Sequence, residues 1–145
     1  MILISDKPLA LQKILTNLKT ENSGSLVFHV GVVRPFSEGK QVTSIEYQIP
    51  KDGGESELAE IVSRVRERWE IDDVVLCRRT GRLDFGEIIL IAAVSAARHK
   101  QAFDACQFAV EQMKGMKSVK KDEILNEMLA QKTFPLTENS CLSRV

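Results

Sequence analysis

Apolar segments rich in β-branched residues alternate along this chain with segments of helical periodicity. This interleaving excludes an all-helical bundle and an all-β sandwich, each of which would show only one of the two periods. The clearest strand-like runs are residues 25–33 and 88–95, and both are almost uncharged. Residues 58–69 and 98–114 carry apolar side chains three and four positions apart, which predicts amphipathic helices. The pattern indicates an α+β or α/β fold without fixing the strand order.

The other predicted elements are shorter. Strands are expected at residues 1–5, 42–49 and 72–79, and helices at residues 9–18 and 122–131. Three stretches are expected to be irregular: a polar loop at 35–40, a break at 50–54 and a turn-rich connector at 80–87. Residues 135–145 have no periodicity. We therefore expect a single domain over residues 1–145, with a tail from about residue 124 that is separate or mobile.

The charge balance excludes several classes of protein. The chain has 20 Lys+Arg against 20 Asp+Glu, which argues against a protein that binds nucleic acid or acidic lipid with its whole surface. No apolar run approaches the ~20 residues of a membrane span, and the first residues lack the features of a secretory signal. Cys77, Cys106 and Cys141 are too few and too widely spaced for a disulfide framework. These features predict a cytoplasmic protein.

Motifs for nucleotide and metal sites are missing from the sequence. Residues 81–86 do not form GxGxxG, and no GxxxxGK[ST] loop occurs. Gly53 and Gly54 before a helix are more typical of turn chemistry than of an anion site. His29 and His99 show no metal-ligand spacing. Neither a metal nor a cofactor is predicted.

Basic residues occur where elements end, and such positions favour anion binding. Arg34 closes a predicted buried strand, and Arg98 begins a helix directly after another. A guanidinium at either position can bind a phosphate. Lys114 and Lys121 flank a glycine-containing segment, and a lysine amine there can act as a nucleophile or as an acid–base group. The competing interpretation is a solvated cluster of charge at the end of a helix.

Five motifs follow one another in a fixed order. They are Gly24-Ser25-Leu26-Val27-Phe28-His29-Val30-Gly31-Val32-Val33-Arg34, the strand at 42–47 after Gly39, Arg66-Glu67-Arg68-Trp69, Arg79-Thr80-Gly81-Arg82-Leu83-Asp84-Phe85-Gly86-Glu87, and the segment 95–106. In this order and spacing, over about residues 24–123, the chain resembles the large, catalytic subunit of molybdopterin synthase.

The resemblance implies a sulfur transferase. The family converts cyclic pyranopterin monophosphate to molybdopterin by installing two sulfurs. Sulfur arrives as a thiocarboxylate on the C-terminal Gly-Gly of a small ubiquitin-like subunit, whose tail enters a pocket of the large subunit. Two large subunits form a central homodimer, with one small subunit at each end of the heterotetramer. The implied fold is α+β, an α/β hammerhead with an added small antiparallel β subdomain.

The resemblance also implies a set of site residues. Lys114 and Lys121 match the two catalytic lysines, and Lys121-Asp122-Glu123 stands for the family's Lys-basic-Glu. Arg34, with the backbone of Val32 and Val33, matches a contact to the substrate phosphate, as does Arg98. The complete expected binding set is Val32, Val33, Arg34, Arg98, Lys114, Lys121, Asp122 and Glu123.

The chain departs from the family pattern at four places. Asp122 is an acid where the family favours a base, and the tail from Ile124 is predicted to be more helical than the family's. Ala97 stands where the family has a histidine, and residues 115–120 replace an aromatic-proline segment, so that Lys120 is an alternative to Lys121. Ala97 and the altered lysine loop motivate a second hypothesis, a non-catalytic module that binds a ubiquitin-like C-terminal tail. A third is an unrelated α+β domain with a lysine-rich anion site.

Overall fold

The structure, a computed structural model, describes residues 1–37 and 39–125. In this part of the chain the elements, in chain order, are β1 (Ile2–Ser5), α1 (Leu11–Asn17), β2 (Ser25–Val32), β3 (Phe36–Ser37), β4 (Lys40–Gln48), α2 (Lys51–Arg68), β5 (Asp73–Arg79), β6 (Gly81–Asp84), β7 (Ile88–Ala96), α3 (His99–Lys114) and β8 (Lys120–Leu125). Helices and strands are mixed along the chain, and the expected α+β class is confirmed.

The first sheet has the strand order β1-β5-β7-β2. Strand β1 is an edge strand parallel to β5, whereas β5–β7 and β7–β2 are antiparallel. The sheet is covered on both faces, which explains why all of β5 and most of β7 are buried without alternation. Helices α2 and α3 pack on one face around Leu76 and Met113, and α1 packs on the other around Ile14 and Cys77.

The second sheet is built around β4, which pairs antiparallel with β3, β6 and β8. It has its own small apolar cluster, formed by Val33, Ile45, Tyr47 and Leu83. This sheet is the small antiparallel subdomain that the resemblance implied. It lies against the start of β7 and the segment between α3 and β8, since Ile89 and Val119 pack against its cluster.

The strand β4 ends at Gln48, just before the break expected at residues 50–54, but the turn expected at Gly53 and Gly54 is wrong, because α2 begins at Lys51 and includes both glycines. The Gly54 amide donates a 2.8 Å helical hydrogen bond to the Pro50 carbonyl. Gly54 is buried against Ile4 and Ile49, so the absence of a side chain serves close packing of the helix on β1 rather than a turn.

The connector expected at residues 80–87 contains a strand, β6, which begins at Gly81 and is followed by a turn at Phe85 and Gly86. Gly81 and Gly86 both have positive φ, 94° and 86°, a backbone conformation that glycine adopts without strain. Leu83 is fully buried, and its strand pairs with β4. Likewise, Phe36–Ser37 forms a short hairpin with β4 within the loop expected at residues 35–40.

The helix expected at residues 122–131 is wrong in its described part, where residues up to Leu125 belong to β8. Pairing with β4 over six residue pairs outweighs the weak helical spacing of this polar segment. The remainder of that expectation, and the aperiodic stretch 135–145, lie outside the described residues. None of the three helices described here combines the length and apolarity needed to cross a membrane.

Candidate active site

A cavity of about 600 Å³ opens where the two sheets meet. Its walls come from β2, β4, β5, β7, β8 and the C-terminal end of α3. Four cationic side chains line it: Arg34, Arg78, Lys114 and Lys121. Within the described residues no carboxylate lines this cavity, so it is electropositive although the whole chain is neutral.

Arg34 reaches the cavity because β2 changes register at its end. The pairing of β2 with β7 shifts between Gly31 and Val32, and Pro35 then stops the ladder. Val32 and Arg34 both line the cavity. Val33 does not line it, since its side chain is buried in the apolar cluster of the second sheet. The Val33 amide donates to the Glu87 carbonyl, and the Val33 carbonyl accepts from the Gly86 amide. Its backbone therefore fixes the strand end instead of facing the cavity.

The two lysines come from different elements. Lys114 is the last residue of α3, and Lys121 is the second residue of β8. The Lys121 ammonium forms a 2.8 Å ion pair with Glu123, which lies in a smaller recess of about 50 Å³ beside the main cavity. Because side chains alternate along a strand, Lys120 and Asp122 lie on the other face of β8, and both are exposed.

Arg98 does not join the cavity of its own chain. It caps the N-terminal end of α3, whereas Lys114 ends that helix. A helix of 16 residues spans about 24 Å. Arg98 is exposed at this distant end, beside Ala97.

Arg78, Tyr47 and His29 line the cavity but were not proposed from the sequence as site residues. A signal for Arg78 was available, since it is a charged residue in a strand that reads as buried. Side chains alternate along β2, so His29 lies on the same face as Val27, toward α3. Its Nε2 is buried and has no hydrogen-bond partner among the described residues. Burial, and secondly the charge of Lys114, lower the pKa of His29, which favours the neutral imidazole.

The two cysteines of the described residues, Cys77 and Cys106, are both buried. Burial raises the pKa of Cys77 and of Cys106 to about 11, so both thiols remain protonated at neutral pH. Cys141 lies outside the described residues. Within the described ranges, no group of three or more His, Cys, Asp or Glu residues is placed to hold a metal ion.

Four convergent cations in one concave site suit a small ligand with more than one anionic group. A site of this kind can hold a phosphate and stabilise negative charge that develops during acyl or sulfur transfer. The lysine amines add a nucleophile or a proton donor beside those anions.

Comparison with known proteins agrees with this geometry. The family model described as MoaE protein matches residues 4–116. The chain belongs to the MoaE family. The family assignment made from the sequence motifs is thus confirmed.

The relatives and structural neighbours of this MoaE-family chain carry consistent names. The molybdopterin synthase catalytic subunit of Bacillus subtilis is 29% identical over 121 residues, which cover 83% of this chain and 77% of that protein. The molybdopterin synthase structure from Staphylococcus aureus superposes with a TM-score of 0.81 at 27% identity, covering 86% of this chain and 90% of that one. A Helicobacter pylori structure, described as a complex of subunits 1 and 2 of molybdopterin-converting factor, shares the fold with a TM-score of 0.67 at 15% identity, covering 86% and 85%. These matches support the sulfur-transferase role in molybdopterin biosynthesis.

Proposed function

We propose that the cavity is the active site of a molybdopterin synthase catalytic subunit, which converts cyclic pyranopterin monophosphate to molybdopterin. The observation that carries this proposal is the convergence of Arg34, Lys114 and Lys121 on one cavity. Arg34 follows the end of β2, Lys114 ends α3, and Lys121 lies on β8, so the three come from separate parts of the sequence. Both reactants are anionic, so a cationic cavity attracts each of them and reduces their mutual repulsion.

The residues have distinct parts in the reaction. Arg34 holds the phosphate of the pterin, since a guanidinium can bind two of its oxygens at once. In each sulfur transfer a C–S bond forms on the pterin side chain while a C–O bond there breaks. The bond between sulfur and the terminal carbonyl carbon of the partner's tail breaks as water, or first a lysine amine and then water, takes that carbon, so that the tail ends as a carboxylate. Lys114 and Lys121 serve as proton donors to the leaving oxygen or as the amine that bonds transiently to the tail carbonyl.

The proposed partners are a small ubiquitin-like sulfur carrier and a second copy of this chain, in the cytoplasm. The Helicobacter pylori complex of two different subunits supports the first. For the second, Phe103 is 59% exposed on α3 and lines an open groove together with Val27 of the edge strand β2. Two α3 helices packed antiparallel about their midpoints would bring Arg98 of one copy to Lys114 of the other, which makes Arg98 a residue supplied in trans.

Reconstitution with a thiocarboxylated small subunit and cyclic pyranopterin monophosphate tests this function. We expect dithiolene formation by the wild type and none by Lys114→Ala, with the complex intact by size-exclusion chromatography. Turnover like that of the wild type in Lys114→Ala would overturn the role of this lysine. A stable complex in which even the wild type forms no dithiolene would favour the non-catalytic module, which Ala97 and the altered lysine loop motivate.

A further inference from the structure

Arg78 occupies a core position of the central sheet. On β5 the alternation of side chains places it on the same face as Val74 and Leu76, which pack under α2 and α3. It is only 4% exposed, whereas the Lys121 side chain at the same cavity is 44% exposed. Arg78 is therefore the deepest of the four cations that line the cavity.

The Arg78 guanidinium is fixed in place but not neutralised. Its Nη1 donates a hydrogen bond to the Met113 carbonyl in the last turn of α3, and its central carbon lies 5.3 Å from the centre of the Tyr47 ring. Within the described residues its Nε has no hydrogen-bond partner and no carboxylate forms an ion pair with it. The adjacent Arg79 differs, because it pairs with Glu87 at 3.3 Å.

A buried guanidinium without an acidic partner is costly, since a cation loses its hydration and gains too little in return. Burial lowers the pKa of Arg78, although Tyr47 and Glu57 oppose this, and an arginine side chain remains protonated in proteins. Replacing it by an apolar residue would relieve that cost. Its presence in the wall of a cavity is explained if an anion binds there and supplies the missing charge.

We infer that Arg78 is the deep oxyanion-binding residue of the cavity, with Tyr47 and the Met113 carbonyl holding its guanidinium toward the bound anion. This inference deepens the proposed function and rests on it for the identity of the ligand. The oxyanion is the phosphate of the pterin, shared with Arg34, or the thiocarboxylate of the partner's tail. Lys114, Lys121 and Arg34 are more exposed than Arg78 and lie nearer the mouth of the cavity.

The test is equilibrium binding by isothermal titration calorimetry to Arg78→Met, with two ligands titrated separately. One is cyclic pyranopterin monophosphate, and the other is the small subunit with its C-terminal thiocarboxylate. We expect Arg78→Met to weaken one of the two by about 10- to 100-fold, since a charge-assisted pair is lost. A lower affinity for the pterin would show that Arg78 binds the phosphate. A lower affinity for the small subunit would show that Arg78 binds the thiocarboxylate.

Arg82→Gln is the matched control, because it also removes one positive charge but from a side chain that is 65% exposed and paired with Asp84. Its affinities should stay within about twofold of the wild type. An equal loss in Arg82→Gln would show that only net charge matters and would overturn the inference. Unchanged affinities in a folded Arg78→Met would also overturn it, leaving Arg78 as a cap on α3 alone.

Arg78→Lys is the second variant for the same binding measurement, for the case that Arg78→Met does not fold. It retains the charge but loses the planar fork, so we expect an affinity several-fold below the wild type at an unchanged melting temperature. Wild-type affinity in a folded Arg78→Lys would contradict the inference. A failure of the proposed function would give a different result from a failure of this inference. In the first case the wild type forms no dithiolene, although its anion binding still depends on Arg78.

Discussion

The carboxylate of Glu57 accepts a 2.6 Å hydrogen bond from the backbone amide of Ser118. The same carboxylate accepts a 2.9 Å bond from the Lys117 amide, so one side chain of α2 holds the loop between Lys114 and Lys121. Partial burial alone would raise the pKa of Glu57, but the bonds from Ser118 and Lys117 outweigh it and lower the pKa. The spacing of the two lysines therefore depends on an acid outside the cavity.

Glu57→Ala should reduce turnover about 10-fold and lower the free energy of unfolding by about 1 kcal/mol, because two loop amides lose their acceptor and Lys114 and Lys121 lose their fixed separation. Steady-state kinetics and urea unfolding measure the two effects. Glu60→Ala is the control, since Glu60 is exposed on the same helix and pairs only with Arg64 in the described contacts. Equal kinetic losses in both variants would contradict the loop-holding role.

Lys121→Ala should lower dithiolene formation at least 100-fold, whereas Lys120→Ala should change it less than about threefold. The reason is the alternation of β8, in which Lys121 lines the cavity and Lys120 lies on the opposite, exposed face. Single-turnover assays with the thiocarboxylated partner measure both rates. The reverse pattern would assign the second lysine role to Lys120.

The sequence predicted the elements whose buried face follows from the local spacing of apolar residues. The strand that includes Ile91 and the helix that includes Met113 have apolar faces that need no knowledge of a partner. Strand β8 could not be predicted in this way, because Lys120-Lys121-Asp122-Glu123 is polar and becomes a strand only through pairing with β4. The same holds for β6, whose four residues form a strand through pairing with β4 and through one buried leucine, Leu83.

The site residues that could be predicted are those at the ends of predicted strands and helices. Arg34 and Lys114 end a clear strand and a clear helix, and both line the cavity. Arg98 fits the same rule but lies at the far end of α3, a separation that sequence spacing does not reveal. Arg78 is unusual as a charged residue in a strand predicted to be buried, but the sequence does not show the cavity beside it that gives this charge a role.

Gly54→Ala should destabilise the fold by about 1–3 kcal/mol, whereas Gly53→Ala should be neutral or stabilising by about 0.5 kcal/mol. A Cβ on Gly54 would overlap Ile4 Cδ1 and lie 2.5 Å from Ile49 Cγ2, but the first atom that a Cβ on Gly53 would meet is 3.8 Å away. Chemical denaturation of the two variants gives the comparison. Equal stabilities would show that α2 shifts on β1 without cost.

His29→Phe should flatten the dependence of stability on pH below about 6.5. Burial, and secondly Lys114, lower the folded pKa of His29 from its ordinary 6.5, so the unfolded chain binds the proton more tightly. Stability is therefore complete above pH 6.5 and falls as the pH drops toward the lower folded pKa. Melting temperatures at pH 7.5 and 5.5 measure the slope, and His99→Gln, which removes an exposed histidine, should leave it unchanged. A slope in His29→Phe equal to that of the wild type would show that other groups carry the pH dependence.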